Sequence, residues 1–314
     1  MRLSPVLFMT VAAITLFPGC GMAEGESFSL EQGVDVQVGG TTWLRTLITP
    51  FDPENPELHY KVYTHLYDSE GLLPITKGPG GKYPHHRGLF IGWRETRIGD
   101  RVLDSWSRSG SDTKAFACQQ WAAWKELAAD AEGARQTALI RWFVEGEPPF
   151  MEEERTIWAF CPGEGLRAVD FTSSLKSLGG TILLRGDPQH GGMHVRMAQE
   201  VADNESETQY VLPENARVAG EDVVEGAWWV CASMPIRGRR YWVLHMTSPG
   251  LPSGIPLYSI RKYGRFGAFF ESQVEEAKPL EAAFRIIWTD TPLDMSRCEE
   301  LYQNFAASAG PEAP

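Results

Sequence analysis

Apolar and polar residues alternate along this chain in short runs, and the period is two far more often than 3.6. TTWLRTLITPF (41–51), LHYKVYTHLY (58–67), QTALIRWFVEG (136–146), ERTIWAFCPG (154–163) and LRAVDFTSSLKSL (166–178) read as strands rich in β-branched and aromatic residues. So do TILLRGD (181–187), GAWWVCASMPI (226–236), RYWVLHMTS (240–248), FGAFFESQVEEA (266–277) and LEAAFRIIWTD (280–290), with Gly, Pro, Asp or Asn punctuating between them. So many runs without intervening amphipathic helices argue against a parallel α/β fold and exceed the strands of an immunoglobulin unit. The expected architecture is all-β, a large antiparallel β-sandwich with one C-terminal helix.

That helix is read from TDTPLDMSRCEELYQNFAA (289–307). Thr291 is placed to cap it, Pro292 suits the first helical position, and Asp294 suits the N-terminal dipole. Leu293, Cys298, Leu301, Tyr302 and Phe305 form an apolar stripe that would close one edge or face of the sandwich. WAAWKELAADAEGA (121–134) fits a second helix or a hairpin equally well. ADNESETQYVLPENA (202–216) is acidic and turn-rich and reads as an exposed loop, and the tail SAGPEAP reads as disordered.

The first residues change the picture of where the protein works. Arg2 precedes an apolar run, Val6–Phe17, that is too short to span a bilayer and has the character of a signal-peptide core. Residues 1–23 are therefore expected to be a signal peptide and 24–314 one β-sandwich domain. Phe17-Pro18-Gly19-Cys20 resembles a bacterial lipobox, which would make Cys20 a lipid anchor and the protein a membrane-anchored lipoprotein. Cleavage after Ala23 would instead release it into the periplasm. Either way the protein is exported, and no later run is long enough for a membrane span. With 29 basic against 41 acidic side chains the net charge is −12, which disfavours nucleic acid as a partner. Cys118, Cys161, Cys231 and Cys298 are widely spaced, form no CxxC pattern and read as buried thiols, with one disulfide open in an oxidising compartment.

Candidate chemistry concentrates in two places. Four of the seven histidines fall in YPHHRGLFIGW (83–93) and DPQHGGMHVR (187–196). Gly191 and Gly192 disfavour a helix, and an extended reading puts His190, Gly192, His194 and Arg196 on one face with Met193 and Val195 on the other. Gly192 would then leave room for a ligand to approach. His85 and His86 follow a flexible Gly/Pro loop, so the strand parity rule relaxes there. The two segments are expected to share one site. In a metal-free reading His86, His190 and His194 supply acid–base chemistry and His85, Arg87, Arg196, Asp104, Trp106 and Asp187 bind substrate. In the competing reading His86, His190 and His194 hold a divalent metal. A purely structural role for these side chains is the third. His245 ends an apolar strand and fits a packed core residue. In EEERTIW (152–158) the three acids suit a solvated edge, and only Glu153 or Arg155 would turn inward. GxSxG, HExxH, phosphate-loop and dinucleotide patterns are all absent from the sequence.

PHHRGLFIGW (84–93), Asp104-Ser105-Trp106, RGDPQHGGMHVRMA (185–198) and HMTSPGLPSGIPLYSIRKYGRFGAFF (245–270) together resemble a bacterial family of unknown function, DUF6807. Its members often carry the label methane oxygenase PmoA, although the membrane monooxygenase subunit of that name has several spanning helices. The sequence departs from the family pattern at Met246, where a proline is expected after His245. The resemblance implies a supersandwich similar to that of galactose mutarotase, in exported proteins of bacteria that degrade polysaccharides. The combined expectation is a His/Arg-lined cleft that binds a carbohydrate or other small polar ligand and processes it, by a reaction left open among lyase, epimerase and hydrolase. A non-catalytic sugar-binding module and a metal-dependent oxygenase are the alternatives.

Overall fold

The protein is described by a computed structural model over residues 9–11, 32–108, 115–220 and 222–308. The expected signal segment, with Cys20 and the cleavage site, lies outside the described residues except for Met9–Val11, which pairs with the Gly33–Val38 strand. The tail beyond Ser308 also lies outside them.

Two large sheets pack face to face, with ten and twelve strands among the described residues. The ten-stranded sheet carries, side by side, the strands Tyr63–Leu66, Leu89–Trp93, Gly191–Arg196, Arg265–Phe269 and Leu257–Arg261. The centre of the other is Arg239–Thr247, Leu280–Thr289, Arg167–Ser177, Met151–Phe160, Ala134–Val144 and Ala115–Ala129. Pairing is antiparallel except where Arg101–Asp104 runs parallel to Ala115–Ala129. Alternation decides which side chains meet: Leu89, Ile91, Met193 and Val195 point inward onto Ile140, Trp142, Ile157 and Phe171 in the main core. Each of the ten runs picked out by its alternation carries a strand.

Where the pattern was ambiguous, polar side chains decide. Residues 121–134 form a hairpin, because Asp130 accepts hydrogen bonds from the Glu132 and Gly133 amides and closes the turn between Ala115–Ala129 and Ala134–Val144. The expected loop at 202–216 is partly ordered instead: a short helix Gln199–Asp203, a 3₁₀ turn Glu205–Glu207 and a strand Gln209–Val211 that joins the sheet edge. The C-terminal helix spans Met295–Ser308, so it starts later than Thr291 and Pro292 suggest. Asp294 is its cap, taking the Arg297 amide at 2.8 Å. The apolar stripe holds, since Cys298, Leu301, Tyr302 and Phe305 bury against Trp229, Leu244, Met246 and Ile287 on the outer face of the twelve-stranded sheet. All four described cysteines are free thiols; Cys161 is exposed rather than buried. No helix among the described residues is long and apolar enough to cross a membrane.

Polar struts also tie the sheets together. Thr46 of the first sheet donates to Gln136 of the second at 2.7 Å, and Gln136 donates back to the Val34 carbonyl. Arg155 and Glu153 both turn inward and form a wholly buried ion pair. Arg155 reaches the Val62 carbonyl at 2.7 Å, and its neighbour Gln119 donates to the Ile91 carbonyl, beneath the histidine-bearing strands.

Candidate active site

The outer face of the ten-stranded sheet carries the histidines. Register places Phe90, His194 and Gly267 opposite one another across three adjacent strands, and Arg196 opposite Arg265. Gly267 is required by His194, because a Cβ there would stand 2.7 Å from the ring carbon Cγ of His194 and 2.3 Å from the Met193 carbonyl. Gly192 does not make room for a ligand. Its φ is +85°, and a Cβ would come to 1.9 Å from the Ala268 carbonyl, so the neighbouring strand fills that space. Gly192→Ala should therefore cost on the order of 3 kcal/mol. Gly40→Ala, at φ +80° in an open turn, should cost only about 1–2 kcal/mol. Urea denaturation of the two variants measures the difference, and equal losses would contradict the strand-contact account.

The HHR segment folds over this face. A turn from Tyr83 to His86, closed by the His86 amide on the Tyr83 carbonyl at 3.1 Å, sets the His85 and His86 rings edge to face with centroids 4.2 Å apart. Arg87 holds that turn: it donates to the carbonyls of Pro84, His86 and Glu57 and lies fully buried beside Tyr60 and Tyr63. Its guanidinium shapes the loop, whereas the sequence suggested that it binds substrate.

Trp106 joins the two segments. Its ring lies 6.3 Å from His86, 4.8 Å from His194 and 6.4 Å from His190, edge to face in each case. Phe90 sits 4.8 Å from Trp106 and about equally far from His86 and His194, at 6.5 and 6.4 Å. The two histidine segments therefore converge on one aromatic floor. Asp104 sets Trp106 in place. One carboxylate oxygen accepts the Trp106 and Ser107 amides and the other the Ser107 hydroxyl, which makes it a turn former. Burial pushes the Asp104 carboxyl up despite those bonds.

The histidines divide by what their nitrogens do. His194 is fully buried, with Nε2–H given to the Gly191 carbonyl at 2.8 Å and Nδ1 taking a bond from Arg265 at 3.3 Å. Burial, and next the Arg265 charge, hold it neutral, so His194 positions Arg265 and has no nitrogen left for acid–base chemistry. His86 is equally held down by burial, then by His85 and Arg265, but its Nδ1 is buried with no partner. Burial and the charges of Lys61 and Arg87 bring His85 down to about 3. His190 differs. It is one-third exposed, and its Nδ1 faces both Asp187 carboxylate oxygens at 2.9 and 3.0 Å. Burial acts to raise the Asp187 pKa, but the His190 hydrogen bond and charge and the Gln189 amide outweigh it and leave it lowered. His190 lies in the turn just before the strand, and Nε2 has no protein partner among the described residues.

Several site residues carried no signal of their own. Lys61 donates to the His85 and Trp106 carbonyls, with Nζ 4.3 Å from the Phe90 ring and 5.4 Å from Trp106, and burial, followed by the Arg87 charge, holds its pKa well below the usual lysine value. Arg265 donates to the Gln189 carbonyl, the Tyr263 and Ser259 hydroxyls and His194. Tyr263 stacks on His86 at 5.9 Å and lies 4.4 Å from Tyr83, itself at a left-handed φ of 59°. His245 is a core residue, bonded to Tyr258 and Met193 between the sheets. No three His, Cys, Asp or Glu side chains among the described residues are gathered to hold a metal, and His86, His190 and His194 do not form such a set.

A family of unknown function, DUF6807, matches residues 33–303 of the chain. No curated protein matches it. Among solved structures, a putative kojibiose phosphorylase from the human microbiome aligns with a TM-score of 0.28 and 8% identity, over 85% of this chain and 32% of that one. The chain thus spans about a third of that protein's length.

Proposed function

The chain belongs to the DUF6807 family of unknown function, and from the site itself we propose that it binds a carbohydrate and processes it with His190 as the acid–base group. The observation that carries this reading is the His190–Asp187 pair at the mouth of the aromatic floor. Asp187 fixes the ring's orientation and tautomer at Nδ1, which leaves Nε2 as the nitrogen that exchanges a proton with a bound guest. The site suits a sugar, because half-buried Tyr83 and Tyr263 offer ring faces for its C–H surfaces, while Trp106 and Phe90 are fully buried and hold the histidines in place. The same two tyrosines add hydroxyls at the rim. The N-terminal apolar run and Cys20 support export to the periplasm or attachment to a membrane as a lipoprotein, where such a guest is met.

The test is turnover of an oligosaccharide panel by wild type, Asp187→Asn and His190→Ala. His190→Ala should lose about 10²–10⁴-fold in rate while still binding the sugar, with Asp187→Asn intermediate. Undiminished turnover by His190→Ala would overturn the acid–base assignment. Binding by wild type without turnover of any sugar would leave a sugar-binding module in its place.

A further inference from the structure

We propose that the guest is anionic, an acidic saccharide whose carboxylate is received by Arg196; this rests on the carbohydrate reading above. Arg196 and Arg265 are directly opposed across neighbouring strands, and both are buried. Like charges in that position repel, and buried guanidinium groups are ordinarily paired with a carboxylate. Here neither has a carboxylate within ion-pairing distance among the described residues. Arg265 has all three of its nitrogens engaged, on the Gln189 carbonyl, two hydroxyls and His194. Arg196 has not: only one of its terminal nitrogens is used, on the Met197 and Tyr263 carbonyls, while Nε and the other terminal nitrogen are buried without a partner.

Those two N–H groups lie on one edge of a guanidinium, the edge that matches the two oxygens of a carboxylate. Two more orphaned nitrogens stand nearby. His86 Nδ1 is unpartnered, in a ring stacked on the same Tyr263 that Arg196 overlies at 5.2 Å. Trp106 Nε1 is unpartnered in the ring next to His86. Each buried donor left without an acceptor is destabilising, and a cluster of them in one place marks where acceptor oxygens bind. The surroundings have the matching sign. Although the chain carries a net charge of −12, the guanidinium groups of Arg87, Arg196 and Arg265 all converge here, and burial in low dielectric strengthens their attraction for an anion. Half-buried Tyr263, itself packed against Tyr83, overlies Arg196, so a carboxylate reaches that edge by displacing the Tyr83–Tyr263 pair.

Titration calorimetry of the full chain compares matched ligands: oligogalacturonate, a sulfated oligosaccharide and a neutral oligosaccharide of equal length. The uronate should bind at least about tenfold more tightly than the neutral sugar, an advantage that falls as salt is added. Arg196→Gln should erase that advantage, and Arg196→Lys, which keeps charge without the planar edge, should keep only part of it. Equal or tighter binding of the neutral sugar overturns the anionic guest and leaves the carbohydrate reading standing. A preference for the sulfated sugar over the uronate overturns the carboxylate assignment. Binding of none of the three overturns both readings. The wild-type comparison decides the matter even where an Arg196 variant does not fold.

Discussion

Acidification from about pH 7 to about pH 4 should unfold this protein in a steep transition driven by several protons. Five of the seven histidines are held neutral in the fold. His65, His85 and His245 are brought down to about 3 and His86 and His194 well below their ordinary value, with burial the largest cause in each case. Once unfolded, each ring binds a proton near pH 6.5. The unfolded chain therefore holds more protons than the folded one through the whole window between. The stabilisation is fully present above about pH 6.5 and drains away as pH falls toward about 3. Each ring can contribute up to about 1.4 kcal/mol per pH unit, so five give a ceiling of about 7 kcal/mol per pH unit. A domain is stable by only about 5–15 kcal/mol, so roughly two pH units below neutrality exhaust it. Asp104, whose carboxyl burial pushes up, opposes this by at most one proton near the acid end. Urea unfolding measured at half-unit steps of pH gives the slope directly. His245→Gln, in the core between the sheets, should reduce it by about one proton. A stability unchanged between pH 7 and pH 4.5 would show that the rings are not held neutral.

Strand parity makes much of this legible in the amino-acid sequence alone. In residues 191–196, Met193 and Val195 have to face a core if His194 and Arg196 face a site, and they do. The same rule puts Glu153 and Arg155 on the face of Met151 and Ile157, although three consecutive acids suggest a solvated edge. What a single chain does not reveal is register. Arg265 belongs beside His194 only because Gly267 pairs with His194 and Arg265 with Arg196, a relation set by two strands distant in sequence. Lys61 looks like any alternating polar residue, and its place depends on the carbonyls of His85 and Trp106. Gly192 carries the opposite lesson. A glycine among histidines suggests an approaching ligand, but the approaching group is the Ala268 carbonyl of the adjacent strand.

Glu153→Ala should be among the most damaging single substitutions outside the candidate site, costing about 3–5 kcal/mol and lowering the melting temperature by roughly 10 °C. Glu153 accepts four hydrogen bonds: two from Arg155 at 2.8 Å, one from the Trp142 indole at 3.0 Å and one from the Ser173 hydroxyl at 2.8 Å. Its removal leaves a buried cation with no counter-charge and orphans two further donors. Arg155 stays tied to the Val62 carbonyl of the opposite sheet, so the misfit is transmitted across the core. Glu153→Gln keeps the shape and one acceptor oxygen but turns an amide N–H toward the guanidinium, and should fall between wild type and alanine. Replacing both members with methionine removes the two charges together and should cost less than Glu153→Ala alone, because no buried ion remains. Because Gln119 carries the same network to the Ile91 carbonyl between Phe90 and Gly92, the alanine variant should also loosen the aromatic floor and weaken ligand binding below its melting temperature. Calorimetric melting of the three variants, each with a ligand titration at about 20 °C, tests both effects. A Glu153→Ala protein melting within about 2 °C of wild type would show that the pair adds nothing to holding the sheets together.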